Sequence, residues 1–148
     1  MLQIKFSLSD VQVDSRKGFR LGDITICGES GEATSAARTP DQSVMLILSI
    51  VELLDGVRRS LLTSTNKKYR FVGVDSSFSI TFRKSKALIT VHVDDKLIHT
   101  ATASSIKSDI EQSVLEFIKT NDVAQISDAA EAYDLENALR AFRELSID

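Results

Sequence analysis

In the stretch LQIKFSL, residues 2 to 8, the apolar Leu2, Ile4, Phe6 and Leu8 alternate with polar neighbours. This is the period of two that a strand with one buried face requires. The same alternation predicts a short second strand over GDITICG, residues 22 to 28, after a polar turn region. GESGE then reads as a hairpin turn into a third, weaker strand, ATSAA. Beyond it the period changes. In TPDQSVMLILSIVELLDGVRRSLL, Leu46, Ile47, Ile50, Val51, Leu54, Val57 and Leu61 cover more than half of a helical circumference. Such a helix must pack on more than one side. Thr39 is placed as its N-cap, with Pro40 at the first helical position and Gln42 three residues after the cap, where two side chains can satisfy orphan amides reciprocally. Glu52 falls on the one exposed edge, and Arg58 and Arg59 near the C-terminal end suit the helix dipole.

Four strand candidates follow in quick succession: YRFVGV, SFSITFRK, ALITVHV and KLIHTAT. Their short connections predict antiparallel neighbours, because parallel pairing needs a crossover of a dozen residues or more. Asp75, Ser76 and Ser77 read as a turn in which side chains replace backbone partners. The last third becomes helical. Ile106, Ile110, Val114, Phe117 and Ile118 form one stripe, capped by Ser105 or Ser108. Leu135, Ala138, Leu139, Phe142 and Leu145 form a second stripe after Asp134. Between them TNDVAQISDAAEAY reads as an acidic loop docked by Val123 and Ile126. The expected fold is α+β, a mostly antiparallel sheet of about six strands with one long central helix and two C-terminal helices. It is expected to form a single domain over residues 1–148.

Composition sharpens this picture. With 43% hydrophobic residues, 26% charged and a single proline, the chain can bury enough apolar surface to fold. Its longest apolar run, VMLILSIVELL, falls well short of the roughly 20 residues a spanning helix needs and contains Glu52. The opening residues lack the basic leader and apolar run of a signal peptide. A cytoplasmic location and no membrane partner are therefore expected. Cys27, the only cysteine, cannot form an internal disulfide and reads as a buried strand thiol. Charge is uneven: residues 57–103 carry 9 basic and 3 acidic side chains, whereas 104–148 carry 4 and 10.

Candidate chemistry centres on VHVDDKLIH, which holds both histidines. If Asp95 and Lys96 are the two turn residues, His92 lies directly opposite His99, and Ile89, Val91, Val93 and Ile98 share the other face. Two imidazoles at that distance could share a metal or shift each other's titration. A divalent site needs three or four ligands, however, and no spacing motif supplies them. No metal site and no cofactor are expected. The scattered glycines form no phosphate loop, and no serine has a base and orienting group beside it. No catalytic set is expected, and the chain reads as a non-enzyme. The basic residues Arg58, Arg59, Lys67, Lys68, Arg70, Arg83, Lys84 and Lys86 lack interleaved exposed aromatics, which disfavours nucleic acid as the partner.

The run YRFVGVDSSFSITFRKSKALITVHVDDKLIHTATAS, followed by SDIEQSVLEFIK and the closing DLENALRAFREL, resembles in layout the small cytoplasmic immunity proteins of bacterial toxin systems. The resemblance implies a protein that binds one cognate toxin domain stoichiometrically and performs no catalysis. Toxins that act on nucleic acid are often basic, so acidic patches on an inhibitor speed encounter and select the partner. The expected partner-binding residues are accordingly Asp94, Asp95, His92 and His99 at the hairpin, and Glu111, Asp128 and Glu131 in the acidic C-terminal third. Two alternatives are a self-associating adaptor or assembly protein, joined through a sheet edge, and a small metal-binding enzyme built on the histidine pair, His92 and His99.

Overall fold

The computed structural model describes residues 1–9 and 20–147, so the polar turn region expected before the second strand lies outside the described residues. Two antiparallel sheets take the place of the expected single one. The first comprises β1 (Gln3–Leu8), β2 (Leu21–Cys27), β3 (Glu32–Thr34) and β4 (Val44–Met45), with β1 on one side of β2 and β3 and β4 both paired to it. The second is a meander of β5 (Lys68–Val72), β6 (Ser79–Ser85), β7 (Leu88–Val93) and β8 (Lys96–Thr102). Helix α1 (Leu46–Val57) interrupts the strand sequence between the two sheets. Among the described residues, backbone bonds tie each sheet to a loop of the other, Met45 N–H to the Val74 carbonyl at 3.0 Å and Ser30 N–H to the Ile98 carbonyl at 2.9 Å.

The inward residues of both sheets are those that the alternation marks. Leu2, Ile4, Phe6, Ile24 and Ile26 from the first sheet meet Phe71, Ile80, Phe82, Ile89, Val91, Val93 and Ile98 from the second in one core. Leu46, Ile47, Ile50, Leu53, Leu54 and Val57 of α1 are almost wholly buried within it, as a helix apolar around most of its circumference requires. Glu52 is exposed at the remaining edge. Helix α2 (Ala103–Thr120) contributes Ile106, Ile110, Val114 and Phe117, and α4 (Ala129–Glu144) contributes Leu135, Ala138 and Phe142.

The start of α1 differs from expectation. The Thr39–Pro40 peptide is cis, Val44 pairs with Gly22 in β4, and the helix begins only at Leu46, with no side-chain cap. Backbone bonds do the capping instead: Leu46 N–H donates to the Arg20 carbonyl and Met45 N–H to that of Val74. The Thr39 capping signature is thus overridden because Val44, fully buried, is held in a strand pair. At its other end α1 runs into a π-helical turn over Arg58–Leu62. Lys84 Nζ donates to the carbonyls of Leu61 and Ser64 at 2.6 and 2.7 Å, meeting acceptors that the helix end leaves open.

Cap positions in the last third also move. Thr102, not Ser105 or Ser108, caps α2, its side chain accepting from Ser105 N–H. The expected acidic loop contains the one-turn helix α3 (Val123–Ile126), and its Val123 and Ile126 do pack against the core. Helix α4 starts at Ala129, ahead of Asp134, because Asp128 and Glu131 form a reciprocal capping box. Helix α2 also covers the outer edge of β1. Leu2 N–H donates to Asp109 Oδ2 at 2.9 Å, and Ile4 N–H to Ser113 Oγ at 3.0 Å. Residues 109 and 113 stand one turn apart on one helix face, and alternate strand amides point to one edge, so the two spacings match.

Candidate protein-binding surface

The β7–β8 hairpin turns at Asp94 and Asp95, with φ of 49° and 65°, rather than at Asp95 and Lys96. A two-residue primed turn needs two left-handed positions, and aspartate tolerates them better than bulkier residues do. Val93 consequently pairs with Lys96 and His92 with Leu97. A register shift follows, after which Val91 pairs with His99. The shift corrects the expected histidine pair. His99 shares the inward face with Val91 and is only 3% exposed, whereas His92, one residue on from Val91, points to the opposite face.

Each histidine then has its own setting. His99 Nδ1 accepts from Glu29 N–H at 3.2 Å, tying the β2–β3 turn to β8. Gly28 permits that approach, because a Cβ there would lie 2.3 Å from the Ile98 carbonyl oxygen and 2.5 Å from His99 Cβ. His92 stands between Thr81 and Leu97 on the outer face, and its Nδ1 is buried with no hydrogen-bond partner. Among the described residues no group of three or more His, Cys, Asp and Glu side chains is placed to hold a metal ion.

Asp94 is bound at 2.6 Å by Arg38, whose Nε donates to the Thr34 carbonyl and whose guanidinium lies 5.4 Å from the Phe78 ring centre. Asp95 is exposed at the tip. The acidic residues of the helices lie elsewhere and mostly serve the fold. Glu111 sits between Lys107 and Arg143 at 3.9 and 3.5 Å, joining α2 to α4. Asp128 and Glu131 form the α4 capping box, and Glu131 is only 4% exposed, which removes it from the accessible surface. Asp109 accepts from β1, Asp122 caps α3 and Glu136 pairs with Arg140. The hairpin residues and the helix acids therefore occupy different parts of the fold and do not compose one site.

Sequence reasoning missed the surface that the register of the second sheet creates. Its outward face carries Arg70, Thr81, His92 and Leu97 in one cross-strand row and Lys68, Arg83, Thr90 and Thr100 in the next. Val72, Leu88 and Leu97 stand exposed at 39, 46 and 37% on this same face. The basic run is visible in the sequence, but only pairing separates its members. Lys84 caps the end of the α1 segment and Arg58 pairs with Asp55 at 3.4 Å, whereas Lys68, Arg70 and Arg83 gather outward with no carboxylate in ion-pair range among the described residues.

Two groups elsewhere are held protonated. Cys27, half-buried on β2, donates to Glu32 Oε2 at 3.3 Å; burial first, then this bond and the Glu32 charge, push its thiol up. A thiol so held is a poor nucleophile. Burial likewise raises the Tyr69 phenol, aided by the charges of Glu52 and Asp55. No helix of the described residues is long and apolar enough to cross a membrane. Comparison of the chain with protein-family models, curated proteins and solved structures yields no match.

Proposed function

We propose that this protein is a non-enzymatic binding domain that neutralises a cognate bacterial toxin domain in the cytoplasm by direct, stoichiometric association. The observation that carries the reading is the outward face of the β5–β8 sheet, where Val72, Leu88 and Leu97 stand exposed among arginines, a lysine and threonines. Apolar groups ringed by polar ones have the anatomy of a protein interface, and arginine is enriched among the residues that dominate its energetics. The hairpin tip, with Asp95 exposed and Asp94 held by Arg38, borders this face and extends it.

The test is to recover the tagged protein from its source cell at low and at high salt, purify what accompanies it, and titrate the two together. A single partner whose toxicity disappears at one equivalent supports the reading. A chain recovered alone or only as its own oligomer, or a partner whose toxicity survives excess protein, overturns it.

A further inference from the structure

We infer that the outward face of the β5–β8 sheet recognises an acidic protein segment, with Lys68, Arg70 and Arg83 as its charge-reading residues. This rests on the binding reading above, but not on the partner's being a toxin. Lys68 stands directly opposite Arg83, and Arg70 lies diagonal to Arg83 across the same β5–β6 pair. Like charges directly opposite each other destabilise a sheet, whereas a carboxylate at either position would stabilise it. The Lys68–Arg83 pair is held at a cost to the sheet, with Arg70 on the same face donating to Ser79 Oγ at 3.4 Å, and such local conflicts concentrate at functional sites. An incoming carboxylate relieves the conflict, and arginine offers it a two-pronged set of donors.

The surroundings select the class of anion. Val72, Leu88 and Leu97 flank the cations, and no aromatic side chain is exposed on this face among the described residues. Aliphatic groups offer nothing to phosphate and make poor platforms for bases, but they suit a polypeptide whose acidic residues are interspersed with apolar ones. A second copy of this chain is a poor occupant. Pairing this face with itself brings cation against cation, while pairing it with the acidic helices of another copy is head-to-tail, which builds a ring or a filament and not a two-fold pair.

The inference is tested with the full chain, following backbone amide shifts by NMR. The probes are a ten-residue peptide of glutamates and two leucines, its glutamine counterpart, and a ten-nucleotide oligothymidylate. The acidic peptide is expected to shift amides of β5–β8, to bind at least about tenfold tighter than the glutamine peptide, and to weaken as salt rises. Arg83→Glu is expected to abolish that binding while raising the melting temperature, since it turns a repulsive cross-strand pair into an attractive one. A loss of binding through misfolding would lower the melting temperature instead, so Arg70→Gln serves as a second, milder variant, expected to weaken the peptide severalfold in the folded chain.

Tighter binding of oligothymidylate, equal binding of both peptides, or no shift on this face overturns the inference. So does Arg83→Glu without gain in stability or loss of binding. If the peptide binds as expected and no toxin is neutralised, the proposed function alone fails. If a toxin is neutralised equally well by Arg83→Glu, the charge-reading role alone fails.

Discussion

Replacing Ser113 by alanine tests how the first strand is held. The Ile4 amide donates to Ser113 Oγ at 3.0 Å in a buried setting, and deleting the hydroxyl leaves that amide without its acceptor. A desolvated, unpartnered amide costs about 1–3 kcal/mol. Two smaller effects bear on the net value. The hydroxyl also donates to the Asp109 carbonyl at 2.9 Å, a bond back to its own helix that adds little. Alanine's better helix propensity returns about half a kcal/mol. The expected loss is therefore about 1–2 kcal/mol, which in a domain of this size lowers the melting temperature by roughly 2–8 °C. Urea unfolding measures the loss, and hydrogen exchange at the Ile4 amide locates it. Asp109→Asn, which keeps an oxygen acceptor for the Leu2 amide, is expected to lose less. An alanine variant with unchanged midpoint and unchanged Ile4 protection would refute the idea that this hydroxyl secures the strand edge.

Three further outcomes are expected. The Tyr69 phenol is raised above its ordinary value by burial and by the charges of Glu52 and Asp55. Its contribution to stability is complete below the unfolded-chain value, near 10, and is lost as pH rises beyond it towards the folded value. Urea unfolding between neutral and strongly alkaline pH should show wild type losing more stability than Tyr69→Phe, and equal losses would discard the mechanism. Gly56→Ala in α1 would place a Cβ 1.8 Å from Tyr69 Oη and 2.2 Å from its Cζ, so it should destabilise by about 1–3 kcal/mol despite alanine's better helix propensity. Adding Tyr69→Leu should make the pair far from additive in thermal melts, and strict additivity would rule out the clash. His99→Leu removes the acceptor of the Glu29 amide and should cost about 1–2 kcal/mol, with faster exchange at Glu29. Undiminished Glu29 protection would show that the imidazole does not tie the turn.

Local pattern made most of the fold legible. Leu2, Ile4 and Phe6, like Ile80 and Phe82 or Ile89, Val91 and Val93, declare a buried face by alternation alone, and these strands form where the pattern places them. Glu52 also lies at the exposed edge that the apolar run of α1 implies. The errors arose where a distant partner decided the outcome. Thr39, Pro40 and Gln42 have the spacing of a helix start, yet Val44 is claimed by Gly22 and the helix waits until Leu46. The histidines depend on turn chemistry. Asp94 and Asp95 both accept positive φ, the register shift follows, and the two rings part to opposite faces. The acidic third is a run of charge in sequence, but capping and ion pairing occupy Asp109, Glu111, Asp122, Asp128, Glu131 and Glu136 in the fold. The cationic sheet face needs the β5–β6 register to become visible, because Lys68 and Arg83 are neighbours only in space.

The clasp of α2 on β1 also sets a clock for synthesis. Leu2 and Ile4 leave the ribosome ahead of the side chains that accept their outer amides, which follow 107 and 109 positions later. At a translation rate of about 5–20 residues per second, that edge waits roughly 5–20 s for its cover. During that interval the nascent chain offers unpaired strand amides to any neighbouring chain, the circumstance in which edge strands associate wrongly. Slower translation or a shortened C-terminal third should therefore be felt first as aggregation of nascent chains through β1, before any loss of stability in the finished protein.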